Sequence, residues 1–123
     1  MNQDALAAEL HALRDRVAGI TNTIVAANDG LLILADTSPD IDPEGISALA
    51  AADLGLARRS TAAIGLGAFR QTVTYSSSGC IAVYAVGSLA LMVVVGDEGL
   101  NVTHLHQETQ PAIERISSIL TAA

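Results

Sequence analysis

The chain has 123 residues, a formal net charge of -7 from 6 Lys+Arg and 13 Asp+Glu, 50% hydrophobic residues and 2% aromatics. That length suits one domain over residues 1–123, with a core of Ala, Val, Ile and Leu, and its 1 Cys excludes an intrachain disulfide. All cations are arginines and only Arg58 and Arg59 adjoin, with no aromatic interleaved, which argues against nucleic acid and against an anionic membrane; no apolar run reaches the roughly 20 residues of a membrane helix, and the acidic start MNQDALAAEL is no signal peptide, so a cytoplasmic location is expected.

The spacing of Leu6, Leu10, Leu13 and Val17 predicts a first helix over Asn2 to Val17, stopped by Gly19. A strand over Ile20 to Ala27 runs into Asn28-Asp29-Gly30, residues that tolerate the conformations of a tight hairpin, and returns as an antiparallel strand over Leu31 to Ala35. Asp36 to Gly45, DTSPDIDPEG, is a polar loop. Its carboxylates Asp36, Asp40, Asp42 and Glu44 lack the alternating ligands and central glycine of a calcium loop.

Pro43 or Glu44 opens a second helix predicted to run to Leu66. Ile46, Ala50, Leu54, Ala57 and Ile64, widened by Leu49 and Leu56, form the face expected to lie on a sheet, with Asp53 an anomaly inside that sector. The opposite side carries Ala48, Ala51, Ala52, Gly55 and Ala62, with Arg58 and Arg59 at its margins. A glycine inside a helix costs up to about 1 kcal/mol relative to alanine, so this small-residue side reads as a second contact face, most simply against the same helix of another copy.

Gly65 and Gly67 end that helix. Phe69 to Ser76 alternates, with Phe69, Gln71, Val73 and Tyr75 on one side, as a strand with a wet face does. Cys80 to Val86 and Leu89 to Val95 are apolar at nearly every position, so each must be covered on both sides, and Cys80 reads as a small hydrophobe. From Leu100 onward Val102, Leu105, Thr109, Ala112, Ile113, Ile116 and Leu120 keep helical spacing, with a kink or break expected at Pro111. The expected fold is α+β: α-β-β-α-β-β-β-α, a five-stranded antiparallel sheet with helices on both faces.

No catalytic, metal or cofactor constellation stands out, and none is expected. There is no lysine and no phosphate-binding glycine loop, His104 and His106 sit two apart on a helix and point to different sides, and Ser76, Ser77 and Ser78 occupy a turn.

In element order and local signatures the chain resembles the Roadblock family, which includes the roadblock-type dynein light chains and the bacterial polarity regulator MglB. The resemblance runs from about Leu6 to Leu120. It rests on Asn28-Asp29-Gly30-Leu31-Leu32, the Ala-rich helix Ile46 to Leu66, Gly67-Ala68-Phe69-Arg70-Gln71-Thr72-Val73 and Gly96-Asp97-Glu98-Gly99-Leu100-Asn101-Val102. The short stand-alone versions encoded in bacterial operons beside a small Ras-like GTPase look most similar. The resemblance implies a profilin-like sandwich that pairs its third strand and second helix across a twofold axis. It also implies a non-catalytic homodimeric regulator or scaffold that binds a small Ras-like GTPase. The residues expected at the dimer interface are Ala48, Ala51, Gly55, Arg59, Ala62, Phe69, Gln71, Val73 and Tyr75. The acidic loop Asp36 to Gly45 and Pro111 depart from the family pattern. A small-molecule sensor and a purely structural assembly subunit are the alternative functions.

Overall fold

The computed structural model describes residues 2–122. The elements are α1 (Gln3–Arg16), β1 (Ile20–Ala27), β2 (Leu32–Asp36), α2 (Pro43–Ala63), β3 (Gln71–Ser76), β4 (Gly79–Val86), β5 (Ala90–Asp97) and α3 (Val102–Thr121). The strands form one antiparallel sheet in the order β2-β1-β5-β4-β3. The expected α+β order is therefore the observed one, and the two continuously apolar strands, β4 and β5, lie inside the sheet with β3 at one edge.

Each face of the sheet has its own core. Leu6, Leu10 and Leu13 of α1 and Leu105 and Ile116 of α3 pack on Val25, Ala82, Tyr84, Met92 and Val94. Ala50 and Leu54 of α2 pack on Ile24, Ala26, Val83, Leu91 and Val93 from the other side. Because side chains alternate along a strand, Val93 faces α2 while Met92 and Val94 face α1 and α3. Asn2 and Asn101 cap α1 and α3, their side-chain oxygens accepting from the backbone N–H of Ala5 and His104 at 3.0 Å.

Ion pairs tie the α1/α3 layer together. Arg115 Nε lies 2.8 Å from Glu9 Oε1, Arg16 Nε 3.5 Å from Glu108 Oε2, and Arg14 Nη1 3.0 Å from Asp36 Oδ2 on β2. All are partly exposed, so each contributes at most about 1 kcal/mol.

The structure differs from the sequence reading at several element boundaries. The second helix stops at Ala63 rather than Leu66. The third strand begins at Gln71, so Phe69 precedes it and packs against the α2-side core, whereas Val73 packs against the α1/α3 side. Gly65 and Gly67 take positive φ (68° and 86°), which holds the intervening chain out of the ladder. The last helix is continuous through Pro111, with no break. Pro111 and Gln107, whose carbonyl loses its helical partner, are both exposed, so the cost of the missing bond is small, while Leu105, Thr109, Ala112 and Ile116 hold the helix down. Finally, β5 extends to Asp97 rather than ending at Val95.

Tyr84 is the largest fully buried side chain. Its hydroxyl contacts His106 Nδ1, and burial pushes its pKa up to about 12. A phenol with a raised folded-state pKa contributes stability that is intact below about pH 10 and lost as pH rises towards 12. Unfolding stability at pH 11 is expected to be lower than at pH 9 by on the order of 1 kcal/mol from this group, and urea titrations of Tyr84→Phe should lack that component.

Candidate interaction surface

The phase of α2 decides what this molecule presents to its surroundings. Its inward residues are Ser47, Ala50 and Leu54, so the helix rests on the sheet through small side chains. Ser47 is fully buried and its hydroxyl donates to the Pro43 carbonyl at 2.7 Å, which satisfies a polar group at a position sequence reasoning passed over. The signal for it was present: a serine one turn after the helix start can bond back to the carbonyl four residues earlier.

This phase overturns part of the expected sheet-facing sector. Leu49 (69% exposed), Leu56 (64%) and Ile64 (71%) point outward, and Leu66 (66%) follows them. Leu49 and Leu56 are two turns apart and line one stripe with Ala52 and Ala63, also exposed. Scattered exposed leucines are ordinary, but leucines aligned with alanines on one helix face make that face a candidate contact surface. Asp53 sits half-buried at the margin of the inward face.

The small-residue side is partly used within the chain. Gly30, at φ 92°, closes the β1–β2 turn so near α2 that a Cβ on it would lie 3.2 Å from Ala48 Cα and 3.7 Å from Ala51 Cβ. Ala48 remains exposed, as do Arg59 and Ala62, and Ala51 and Gly55 are half-buried. A Cβ on Gly55 would meet nothing within 4 Å, so no contact inside the protomer requires that glycine.

The second part of the surface is the β3 edge. Ala85 N–H donates to the Arg70 carbonyl at 3.0 Å, and Gln71 to Ser76 pair in sequence with Tyr84 to Gly79. Hydrogen-bonded and non-bonded pairs alternate along an antiparallel ladder. Thr72, Thr74 and Ser76 therefore bond to β4, and the N–H and C=O groups of Gln71, Val73 and Tyr75 point away from the sheet. Gln71 and Val73 are half-buried and Tyr75 is exposed. The structure thus brings Gln71, Val73 and Tyr75 onto one open edge, places Phe69 beside the α2 core instead, and sets Ala48, Ala51, Gly55, Arg59 and Ala62 on the helix of the same sheet face as Thr72 and Thr74.

Arginines divide between the layers in the same way. Arg14, Arg16 and Arg115 are held in the ion pairs of the α1/α3 side, whereas Arg58, Arg59 and Arg70 stand on α2 and at the entry to β3. Arg58 and Arg70 line two adjoining depressions of about 430 and 500 Å³ that share Thr61, Gly67, Ala68 and Phe69.

The remaining candidates for chemistry are structural. His104 Nε2–H donates to the Arg16 carbonyl at 3.1 Å, joining the start of α3 to the end of α1, while His106 turns inward to Tyr84. Cys80 is buried in β4, and burial raises its thiol pKa. Asp40 accepts from Ser38 Oγ at 2.6 Å, which lowers its pKa, and Asp36 is engaged by Arg14. Among the described residues no group of three or more His, Cys, Asp or Glu is placed to hold a metal ion, and no helix is long and apolar enough to cross a membrane.

An exposed leucine that packs on nothing contributes little to its own protomer. Leu56→Ser is therefore expected to change unfolding stability by less than about 0.5 kcal/mol under dilute, monomeric conditions, against about 2–5 kcal/mol for the buried Leu54→Ala. Denaturant titrations of the two variants side by side check the assigned helix phase.

Comparison with known proteins agrees with this architecture. The uncharacterized protein MJ1340 of the archaeon Methanocaldococcus jannaschii is 29% identical over 105 residues, spanning 85% of this chain and 91% of that protein. The crystal structure of a Roadblock/LC7 domain from Streptomyces avermitilis superposes with a TM-score of 0.84 at 22% identity, covering 91% of this chain and 94% of that one. Myxococcus xanthus MglB superposes with a TM-score of 0.85 at 18% identity, covering 95% and 88%. The Roadblock/LC7 domain matches residues 6–96, from α1 to the end of β5, and the chain belongs to that family.

Proposed function

We propose that this protein is a non-catalytic homodimeric regulator or scaffold that binds a small Ras-like GTPase and modulates its nucleotide cycle or location. Family membership supports the GTPase as partner. The observation that carries self-association is the outward apolar stripe of Leu49 and Leu56 lying on the same side of the sheet as an unpaired β3 edge. An open edge strand is a template for another strand, and leucines left in water favour burial. The interface then joins the Leu49 and Leu56 stripe to the neighbouring Ala48, Ala51, Gly55, Arg59 and Ala62 of α2 and to Gln71, Val73 and Tyr75 of β3, with Phe69 at its margin.

A regulator of this kind needs no hydrolytic residue of its own. It acts by binding one nucleotide state of its partner better than another, and a tenfold preference corresponds to about 1.4 kcal/mol of differential affinity. In this reading the arginines at the α2–β3 junction serve as surface contacts.

Two measurements test the proposal. Tagged protein incubated with cell extract and either a GTP analogue or GDP is expected to retain a Ras-like GTPase preferentially in one state. Equal retention in both states points to a scaffold, and no GTPase in either rejects the regulator reading. For self-association, a Cβ at Gly55 meets nothing within 4 Å in the protomer, so Gly55→Trp is expected to obstruct a second helix, and Val73→Asp puts a charge on the edge. Both are expected to shift a light-scattering mass from dimer to monomer, and a mass unchanged on dilution in both variants rejects the interface.

A further inference from the structure

We infer that the cavity beneath the last turns of α3 is a binding site for a small, uncharged aliphatic molecule carrying one hydroxyl, an alcohol of about ten non-hydrogen atoms. The inference is independent of self-association and of the GTPase partner, because the cavity lies on the α1/α3 face of the sheet.

The cavity has a volume of about 510 Å³ and opens where α3 passes over the ends of β1, β2, β4 and β5. Val86 and Ala90, 2% and 4% exposed, form its floor, with Ile33 and Ala27 on the β1–β2 side and Leu120 on the helix side. Val86, Ala90, Ile33 and Leu120 all belong to or pack on the α1/α3 core, so the space extends that core outward. It stays open because alanine, glycine and serine stand at 27, 87, 90 and 117, where protein interiors are otherwise close-packed. Atoms that line a gap forfeit dispersion contacts, and an aliphatic occupant restores them. A closed space of about 150 Å³ takes a benzene ring, so this larger one, open on one side, seats roughly ten non-hydrogen atoms.

The walls are held in place before any ligand arrives. Asn28 N–H donates to the Leu89 carbonyl at 3.0 Å and Asn28 Nδ2 donates to the Ser88 carbonyl at 2.9 Å, which ties the β4–β5 turn to the β1–β2 turn. Gly87 has φ 58°, and a Cβ on it would stand 2.9 Å from Ser117 Oγ, so the glycine lets this turn close against α3. A site fixed in this way spends little of its binding free energy on ordering.

The lining sets the chemical class. Among the described residues no charged side chain lines the cavity, so a carboxylate or ammonium drawn into it would lose water without a counter-charge. The polar groups present are hydroxyls. Ser117 Oγ has no hydrogen-bond partner among the described residues, and Thr121 Oγ1 donates to the Ser117 carbonyl at 3.0 Å, which leaves its lone pairs to accept. A ligand hydroxyl, which donates and accepts, matches both. The depressions at Arg58 and Arg70 carry cations and the one at Asp97 and Glu98 carries carboxylates, so neither offers an uncharged apolar seat.

The test titrates 1-octanol into the full isotope-labelled chain and follows the backbone amides by NMR. Saturable binding is expected with a dissociation constant on the order of 0.1 mM, and with shifts centred on residues 86–90 and 117–121. Octanoate is expected to bind at least about tenfold more weakly. Ser117→Leu fills the space from the helix side and is expected to weaken 1-octanol binding about tenfold or more, with the amide spectrum confirming that the variant is folded. Ser117→Ala removes only the hydroxyl and is expected to weaken it about threefold to tenfold. Absence of saturation, or shifts centred on Leu49 and Leu56, overturns the site. Octanoate binding as tightly as 1-octanol overturns the uncharged class. Unchanged affinity in Ser117→Leu overturns the cavity as the seat, and unchanged affinity in Ser117→Ala overturns the part given to the hydroxyl.

Discussion

The constraint on which the rest of this structure depends is the burial of β5 on both faces. Leu91, Met92, Val93 and Val94 are all inaccessible, alternating between the core under α2 and the core under α1 and α3. A strand of that kind cannot exist in a two-layer protein, so the chain must supply helices on both sides of the sheet. The side chains available to fill those cores are small, and the layers come close as a result. Gly30 lies against Ala48 and Ala51, and α2 meets the sheet through Ser47 and Ala50.

The two helical layers then follow different designs. The α1/α3 layer is closely tied: Leu6, Leu10, Leu13 and Leu105 are fully buried, Arg14, Arg16 and Arg115 are matched to carboxylates, and a histidine joins the end of one helix to the start of the other. The α2 layer holds a single helix, buries three residues deeply and leaves large aliphatic side chains in water. Both sides supply buried core, and the α2 side in addition presents exposed apolar side chains, Arg58, Arg59 and Arg70 and the outer edge of β3.

The sequence showed the central strands plainly, because a run apolar at every position has one reading in a sheet of this size. It also showed the first hairpin and the spacing of α1. The phase of α2 was harder to read. Leucine and isoleucine at positions 49, 56 and 64 look like core when a helical wheel is drawn, and only the close approach of Ser47 and Ala50 to the sheet turns them outward. Phe69 was misplaced for a related reason: the alternation of the third strand runs through it by coincidence, while the positive φ of Gly67 ends the regular backbone first. Pro111 suggested a kink or a break because the sequence does not reveal that Gln107, whose carbonyl it orphans, is exposed. The candidate surface was legible as a pattern, small residues on one helix and a half-polar strand, but its apolar stripe was assigned to the wrong side.

The scarcity of aromatic residues has an optical consequence. The chain has no tryptophan and 2 tyrosines, so tyrosine emission is not drained by energy transfer to an indole. One phenol, Tyr84, is sealed in the core, and the other, Tyr75, stands 69% exposed on the open strand edge. Intrinsic fluorescence therefore contains one reporter inside the molecule and one on its outer strand edge. Replacing either with phenylalanine leaves a single-tyrosine protein in which folding and surface contact are observed separately, without a dye or a tag.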